Sequence, residues 1–431
     1  MPRTPAATSS SGNTTAATVE AVWRIESARL TAALSRLVGD LGLAEDMAQD
    51  ALVIALETWP ETGVPENPAA WLMTTARNRG IDRIRRDRNL EAKYGRIAVE
   101  LERQGPEPGP EEAAFAEDAI GDDVLTLIFT ACHPALTSDS QVALILKTVA
   151  GLSTGEIARA LLVSETTVAQ RIVRAKRTLS EAGVQFAPPG ESDLAERLAT
   201  VLGVVYLIFN EGYAATAGES WMRADLSAEA LRLGRILAGL APAEPEVHGL
   251  VSLMEIQASR FPARSGPDGE PVLLMDQDRS QWDRLLVRRG LERLELARQL
   301  GGKGPYFLQA EIAACHARAV KAEETDWNRI VAHYDALLTL GDSPVTELNR
   351  AVAVAMAGDP DAALAIVDRL AKDKRMAGYH LLPAVRGDLL EKLDRDGEAR
   401  NEFRQAAKLT RNQQEQRVLA ERADRTRKFS G

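Results

Sequence analysis

Apolar residues recur at helical spacing through almost all of this 431-residue sequence, and the alternation typical of strands is rare. Ala, Leu, Glu and Arg, which favour helices, dominate the segments between breaks. The sequence therefore predicts an all-α fold. The length is that of several domains, because one hydrophobic core rarely serves so long a chain. Hydrophobic residues make up 45% of the chain, which is enough to fill such cores.

The charge and cysteine content limit the classes of function. The formal net charge of −10 argues against a protein coated in nucleic acid, so any such contact must come from local basic elements. Cys132 and Cys315 lie far apart in the sequence, which predicts no disulfide framework and a cytoplasmic protein. Each is followed by a histidine that points elsewhere on a helix, so we expect no metal site and no cofactor.

Breaks in composition divide the chain into segments. We predict a disordered tail at 1–18, a compact helical domain at 19–94, a flexible acidic linker at 95–118, a second helical domain at 119–186, and helical C-terminal segments at 191–310 and 311–431. The tail lacks the apolar segment of a signal peptide. The linker contains a Gly- and Pro-rich stretch, 105–110, that cannot hold a helix. The longest apolar run, Leu198–Phe209, suits a buried helix and is short for a membrane span.

An acidic edge marks the second helix of the first domain, predicted at 44–59. Its core face carries Met47, Ala51, Ile54 and Ala55 at helical spacing. The edge that we expect to be exposed consists of Glu45, Asp46, Gln49 and Asp50. A loop at 59–66 leads into the next helix.

The next helix, predicted at 67–88, has an unusual polar face. Asn67 is suited to cap it, and Pro68 to occupy its first position. The inner face consists of Leu72, Met73, Ala76, Gly80 and Ile84, and the polar face of Thr74, Thr75, Asn78, Asp82, Arg85 and Arg86. Amides and hydroxyls can read base edges and guanidinium groups bind phosphates, while Trp71 could pack under an unstacked base. The alternative is a solvated basic face with Trp71 in the core.

Two short helices joined by a tight turn end the second domain. Ser153 and Glu156 form a capping box, and Ser164 caps the helix that follows the turn. The inner face of that helix consists of Val168, Ile172, Ala175 and Leu179; Thr166, Thr167, Gln170, Arg174 and Arg177 point outward, with Arg171 at the edge. This pattern predicts a helix-turn-helix, with an ordinary helical hairpin as the alternative.

The last part of the chain contains an internal repeat. A shift of 36 residues sets Ala363 on Ala399, Val367 on Phe403 and Leu370 on Ala406, and sets Trp327 on Ala363. A period in the mid-thirties is typical of tetratricopeptide-like helix pairs, which stack into a superhelix with a concave binding face.

Together, the segments at 44–51, 70–86 and 151–179 resemble a bacterial sigma factor of the extracytoplasmic-function type, in the sigma-70 family. They resemble, in order, the acidic helix of region 2, the region 2 segment that melts and reads the minus-ten element, and region 4, which reads the minus-thirty-five element. No region 3 lies between them, as in this group. The segments 207–213, 276–282 and 348–353 resemble the branch that carries a large tetratricopeptide-like C-terminal extension.

The resemblance implies a role for each candidate residue. Polymerase binding falls to Glu45, Asp46, Gln49 and Asp50, minus-ten recognition to Trp71, Arg77, Asn78, Arg85 and Arg86, and minus-thirty-five recognition to Thr166, Thr167, Gln170, Arg171, Arg174 and Arg177. The implied partners are core RNA polymerase, through its clamp helices and flap, and promoter DNA. We also expect a protein partner or ligand at the C-terminal repeats, which regulate or support activity, and no membrane contact.

Two other interpretations compete with this one. A helix-turn-helix regulator with a repeat-type sensor, acting without polymerase docking, leaves the segment 44–86 unexplained. An enzyme with its site at Glu211, Asp276 or Asp278 lacks a nucleophile–base pair, a phosphate loop or metal spacing. We therefore expect no catalytic residue, and capping or loop-fixing roles for Asp276 and Asp278.

Overall fold

The computed structural model describes residues 10–86, 123–161, 163–187, 189–190, 194–214, 222–266, 270–410 and 412–425. The chain divides into two compact units, 1–205 and 206–431. Throughout its described part the chain is helical and forms no named strand, which confirms the all-α prediction. An isolated bridge joins Ser265 to Pro271 within a loop. The predicted linker at 95–118 lies outside the described residues.

The first unit contains the helices that carry the candidate sites. They are α1 (Ser10–Val38), α2 (Leu41–Thr62), α3 (Pro68–Arg86), α4 (123–131), α5 (Ser138–Thr148), α6 (Thr154–Leu161) and α7 (Glu165–Glu181), and the unit boundary falls inside α8 (Leu194–Tyr213). Helix α1 includes residues 10–18 of the predicted tail. Helices α1, α2 and α3 pack around one core, in which Leu34, Met47 and Leu72 are fully buried.

Helix α2 is longer than the sequence pattern predicts at both ends. Asp40 caps it, since its Oδ1 accepts from the Leu43 amide at 2.9 Å, so the helix begins at Leu41. At the other end it continues through Pro60 to Thr62 and stops at Gly63, whose φ of 83° suits glycine. The loop predicted to begin at residue 59 therefore begins at Gly63. The conformation of Gly63, and not Pro60, ends the helix.

The second unit is a succession of helices, each packed on its neighbours. They are α9 (Ala224–Leu240), α10 (Pro245–Ala258), α11 (Arg284–Gln299), α12 (Pro305–Arg318), α13 (Trp327–Leu340), α14 (Pro344–Met356), α15 (Pro360–Leu370), α16 (Leu381–Lys392), α17 (Asp396–Leu409) and α18 (Gln413–Arg425). Between α10 and α11, the buried Arg279 donates to the carbonyl oxygens of His316 at 2.8 Å and Ala319 at 2.9 Å, which anchors the loop to the end of α12.

Acidic residues of that loop, and Glu211 at the end of α8, have structural roles. Asp278 caps a short 3-10 turn and accepts from the Ser280 amide at 2.9 Å. Hydrogen bonds from the Ser280 hydroxyl, the Ser280 amide and the Gln281 side chain lower the pKa of the Asp278 carboxyl group. Asp283 caps α11, and Glu211 pairs with Arg223 at 2.7 Å. The capping role expected for Asp278 is confirmed.

The repeat is present, with one correction of its register. Ala363, Val367 and Leu370 of α15 are buried, as are Ala399, Phe403 and Ala406 of α17, which confirms the shift of 36 residues between these helices. In α13, however, Ile330 and Leu337 are the buried residues, so a shift of 33 sets them on Ala363 and Leu370. The alignment of Trp327 on Ala363 is wrong because fewer residues separate α13 from α15 than separate α15 from α17.

The close packing of helices in the second unit can be tested with a matched pair of glycine variants. A Cβ at Gly249 in α10 would lie 2.7 Å from the backbone nitrogen of Phe307 in α12, whereas a Cβ at Gly239 in α9 meets nothing within 4 Å. We expect Gly249→Ala to lower the free energy of unfolding by about 1–3 kcal/mol, because the two backbones must separate. Gly239→Ala is the control and should be neutral or stabilising by up to about 1 kcal/mol. Urea unfolding of both variants measures the difference, and equal midpoints would contradict this account of the packing.

Candidate nucleic-acid interface

The turn between α6 and α7 has the capping geometry that the sequence predicts. The Glu156 amide donates to Ser153 Oγ at 3.1 Å, and the Ser153 amide donates to Glu156 Oε2 at 2.7 Å, which completes the capping box of α6. Helix α7 is capped by Ser164, whose Oγ accepts from the Thr167 amide at 3.1 Å. Both helices therefore begin at defined residues, and the turn between them is short.

Helix α7 has one buried face and one open face. Val168, Ile172, Ala175 and Leu179 are buried, which confirms the predicted inner face. Thr166, Gln170, Arg174 and Arg177 are exposed. These four side chains combine hydroxyl, amide and guanidinium groups, the groups used to contact base edges and phosphates.

Two of the predicted contact residues are half-buried and engaged with neighbours, and a third, Arg177, pairs with Glu181 at 2.6 Å while remaining exposed. The Thr167 hydroxyl is 2.8 Å from Ser164 Oγ, and Thr167 is half-buried. Arg171 is also half-buried and pairs with Asp139 at 2.6 Å. Residues 166, 170, 174 and 177 thus form the accessible set, which we call the α7 outer face.

The sequence analysis missed one residue of this surface. Val173 is 65% exposed and lies three positions after Gln170, on the same side of the helix. An exposed branched aliphatic side chain beside base-reading groups can contact the methyl group of thymine. The sequence signal for Val173 is an apolar residue at a position that the helical pattern directs outward.

Helix α3 presents the second candidate surface. The Ala70 amide donates to Asn67 Oδ1 at 3.0 Å, so the predicted cap is confirmed. Leu72, Ala76 and Gly80 are buried, while Thr74 and Asn78 are exposed. Arg77 is half-buried. Arg85 and Arg86 belong to the last turn of α3, and their side chains lie outside the described part of the chain.

Trp71 lies between core and surface. It is half-buried and packs edge-on against the buried ring of Trp59, with 5.3 Å between the ring centroids. The contact holds the Trp71 ring in place while leaving part of it accessible. This position is compatible with stacking on a base and with partial membership of the core.

The acidic edge of α2 differs from the prediction. Glu45 is only 5% exposed, so the expectation of an exposed carboxylate is wrong at this position. Its carboxylate pairs with Lys176 of α7 and lies 4.0 Å from Lys147 Nζ of α5, and it accepts from Gln49. Asp46 Oδ1 lies 3.6 Å from the same Lys176 Nζ. Two lysines of the second helical domain therefore cover this edge.

Burial determines the electrostatics of this contact. Desolvation lowers the pKa of Lys147, and the nearby Glu45 carboxylate partly opposes that effect. The charges of Lys147 and Glu45 are tolerated in this position only while both are present, because an unpaired buried charge is strongly destabilising. Gln49 and Asp50 are half-buried on the same edge. We call Glu45, Asp46, Lys147 and Lys176 the α2–α7 charge cluster.

Other candidate chemistry finds no support in the described residues. They contain no group of three or more His, Cys, Asp or Glu side chains placed to hold a metal. Cys132 and Cys315 are buried free thiols, and burial raises the pKa of Cys132 to about 12. Within the described ranges, no helix is long and apolar enough to cross a membrane.

These features define a helical protein with a helix-turn-helix and a second helix that presents a polar face. Family models match both modules: Sigma-70 region 2 matches residues 24–89, and Sigma-70, region 4 matches residues 126–179. A family of unknown function, DUF6596, matches residues 197–298. No solved structure matches the chain.

The relatives agree with the family models. An uncharacterized protein of Rhizobium meliloti (strain 1021) is 45% identical over 387 residues, covering 89% of this chain and 90% of its own length. The ECF RNA polymerase sigma factor SigL of Mycobacterium tuberculosis is 32% identical over 154 residues, 35% of this chain and 81% of its own. SigK of Mycobacterium ulcerans, also an ECF RNA polymerase sigma factor, is 27% identical over 158 residues, 35% of this chain and 78% of its own.

The chain therefore belongs to the sigma-70 family, as an extracytoplasmic-function sigma factor with a large C-terminal extension that contains a DUF6596 domain. Helices α1 to α3 are its region 2, and α4 to α7 are its region 4.

Proposed function

We propose that this sigma factor directs core RNA polymerase to promoters by reading a minus-thirty-five element with α7 and a minus-ten element with α3. The α7 outer face is the observation that carries this proposal. Its exposed Thr166, Gln170, Arg174 and Arg177 stand opposite a fully buried inner face, so the helix can enter a major groove without losing its packing.

Within that groove, we assign base readout to the amide and hydroxyl groups and phosphate contacts to the cations. We assign the exposed Gln170 to a base edge and the neighbouring exposed Val173 to a thymine methyl. Arg174 and Arg177 are assigned to phosphates or guanine. Thr167 and Arg171 belong to this site only after they leave Ser164 and Asp139.

Region 2 is assigned to unpaired bases of the minus-ten element. Flipping a base out of the duplex costs a few kcal/mol, which stacking and edge hydrogen bonds offset. The half-buried Trp71 ring offers a stacking surface fixed by Trp59, and the exposed Asn78 amide offers edge hydrogen bonds. Arg77, Arg85 and Arg86 are assigned to backbone phosphates.

Polymerase docking is assigned to Glu45, Asp46, Gln49 and Asp50, which would meet basic groups of the clamp helices. In the free chain, Lys176 and Lys147 occupy the position of those basic groups. One carboxylate edge cannot serve both sets of cations, so docking requires α7 and α5 to release α2. We assign contact with the polymerase flap to region 4. In the free chain, the α2–α7 charge cluster covers the acidic edge of α2.

The alternative of a regulator that acts without polymerase is not favoured, because the region 2 match covers residues 24–89, which that interpretation leaves unexplained. A gel shift on duplex DNA distinguishes the two. The alternative requires tight, specific binding by the chain alone, whereas a sigma factor needs core polymerase.

The C-terminal extension is assigned to regulation or support of activity through a partner or ligand. Its stacked helix pairs and buried repeat positions supply a rigid surface for such contacts.

Gln170→Ala should relax specificity at one or two bases of the minus-thirty-five element, at a cost of about 1–3 kcal/mol for the preferred base, because one edge contact is lost. In-vitro transcription with core polymerase over a library randomised at that element measures this. Arg177→Ala is the contrast, and should weaken all promoters alike and reduce the salt dependence. A uniform loss with Gln170→Ala would contradict its assignment as a base reader.

Lys176→Glu and Asp46→Arg both break the 3.6 Å contact between Asp46 and Lys176, but they should change polymerase affinity in opposite directions. Lys176→Glu places a third carboxylate beside Glu45 and Asp46 of α2. The change removes about 1–4 kcal/mol of attraction between α7 and α2. The acidic edge of α2 then becomes available to the clamp helices. We expect core affinity to rise about 5- to 100-fold. Asp46→Arg opens the same contact yet repels the clamp, so core affinity should fall.

The matched control for these variants is Arg174→Glu, which makes the same charge change two residues away on the exposed side of α7. Without DNA, it should leave core affinity unchanged. Fluorescence anisotropy of labelled chain titrated with core polymerase gives all three affinities. If Lys176→Glu behaves like Arg174→Glu, the charge cluster does not cover the docking edge; if Asp46→Arg leaves affinity intact, the docking assignment is wrong.

A further inference from the structure

The second unit contains a partly open cavity of about 680 Å³ that the promoter-reading role does not use. Its walls include Tyr206 at the start of the unit and residues of helices α10, α12, α13 and α14. The volume lies within the range of sites that bind small molecules, roughly 300–1,000 Å³. The described residues that line it all belong to this one compact unit.

Most of the wall is apolar, with neutral phenol groups. Leu253, Ile256, Ile312 and Leu337 contribute aliphatic surface. Tyr206 and Tyr334 also line the cavity, and burial raises the pKa of Tyr334 to about 12. The Tyr206 hydroxyl donates to Gln309 Oε1 at 3.1 Å, which fixes its ring. Such a wall suits the apolar or aromatic body of a small molecule.

One lining side chain is a cation without an acidic partner. Arg260 donates from Nε to Gln277 Oε1 at 3.2 Å, and its guanidinium carbon lies 5.5 Å from the centroid of the Trp282 ring. Among the described residues, no carboxylate pairs with Arg260. The Asp342 carboxylate, which also lines the cavity, is taken by Arg375 at 2.8 Å.

The surroundings of Arg260 add positive potential. Burial lowers the pKa of Arg264 to about 10 and also lowers that of Arg279, and the charge of Arg260 adds to both effects. Burial, with the charges of Arg260 and Arg279, lowers the pKa of His316 to about 3, so this ring is neutral at physiological pH. A cavity with this charge balance attracts an anion and disfavours a cation.

Two neutral polar groups of the lining residues retain hydrogen-bonding capacity. Gln257 Oε1 and His316 Nδ1 are buried and have no hydrogen-bond partner among the described residues. His316 is held edge-on against Trp327, with 5.2 Å between ring centroids. Buried polar groups are normally satisfied, so unpaired ones beside a cavity point to a ligand with polar groups of its own.

We infer that this cavity binds a small organic acid, with its carboxylate on Arg260 and its apolar or aromatic body between α10, α12 and α13. A guanidinium group recognises a carboxylate through two parallel hydrogen bonds, and the apolar lining that shares the cavity with Arg260 suits the rest of such a molecule. The inference is independent of how the chain reads promoters.

The test uses the full chain and four pairs of probes, each a carboxylate and its primary amide: benzoate, 4-hydroxyphenylacetate, indole-3-acetate and hexanoate with the corresponding amides. Saturation-transfer difference NMR measures binding of each. Because the amide keeps the body and loses the charge, we expect at least one acid to bind about 10- to 100-fold more tightly than its amide. Failure of every acid to bind, or equal binding of acid and amide, overturns the inference.

Variants place the bound acid in the cavity. Arg260→Gln should remove the preference for the acid over its amide, and Ala313→Phe, which fills the cavity from α12, should abolish binding of both. Arg404→Gln, an exposed arginine of α17, is the control for loss of one positive charge and should change nothing. If Arg404→Gln and Arg260→Gln have the same effect, the acid binds by general attraction and the site assignment fails. Circular dichroism checks that each variant is folded, and the comparison of acid with amide on the unaltered chain stands without any variant.

Discussion

The buried carboxylate of Glu45 ties the two halves of the first unit together. It lies on α2, in the region 2 core, and its partners Lys176 and Lys147 lie on α7 and α5 of region 4. A carboxylate removed from water needs cations nearby, and lysines that lose their hydration need the carboxylate. Region 2 and region 4 are therefore joined by a contact that is strong only while both sides remain in place.

This arrangement separates the two jobs of a sigma factor. The α7 outer face stays open because its inner face packs on α5 and α6, so the DNA contacts proposed for it do not involve the charge cluster. The α2 edge is different, because the side chains proposed to bind polymerase include Glu45 and Asp46, which region 4 contacts. Lys176, on the flank of α7, thereby connects the proposed DNA-reading helix to the proposed docking edge.

The second unit shows how a repeat can supply a site without a signature motif. Its helix pairs bury small residues at their crossings, such as Ala363 and Ala399, and this packing sets the spacing between neighbouring helices. Tyr206 and helices α10, α12, α13 and α14 leave a cavity between them, with Arg260 in its wall. Asp278, a loop acid that invites a catalytic interpretation, instead caps a 3-10 turn, and Asp283 caps α11.

Local chemistry made much of this molecule predictable. Capping by Asn67, the box of Ser153 with Glu156, and the inner face of α7 follow from residue types at short spacing, and the structure confirms each. The burial of Glu45 was not predictable, since its partners lie about a hundred or more residues further along the chain. The register of α13 was missed because the shorter segment between α13 and α15 is known only from the helix bounds, and the unpaired state of Arg260 because it depends on which helices come together. The helices and their faces follow from the sequence alone, because periodicity and capping act within one or two turns. Which charges meet depends on distances between helices, so that part is known only from the fold.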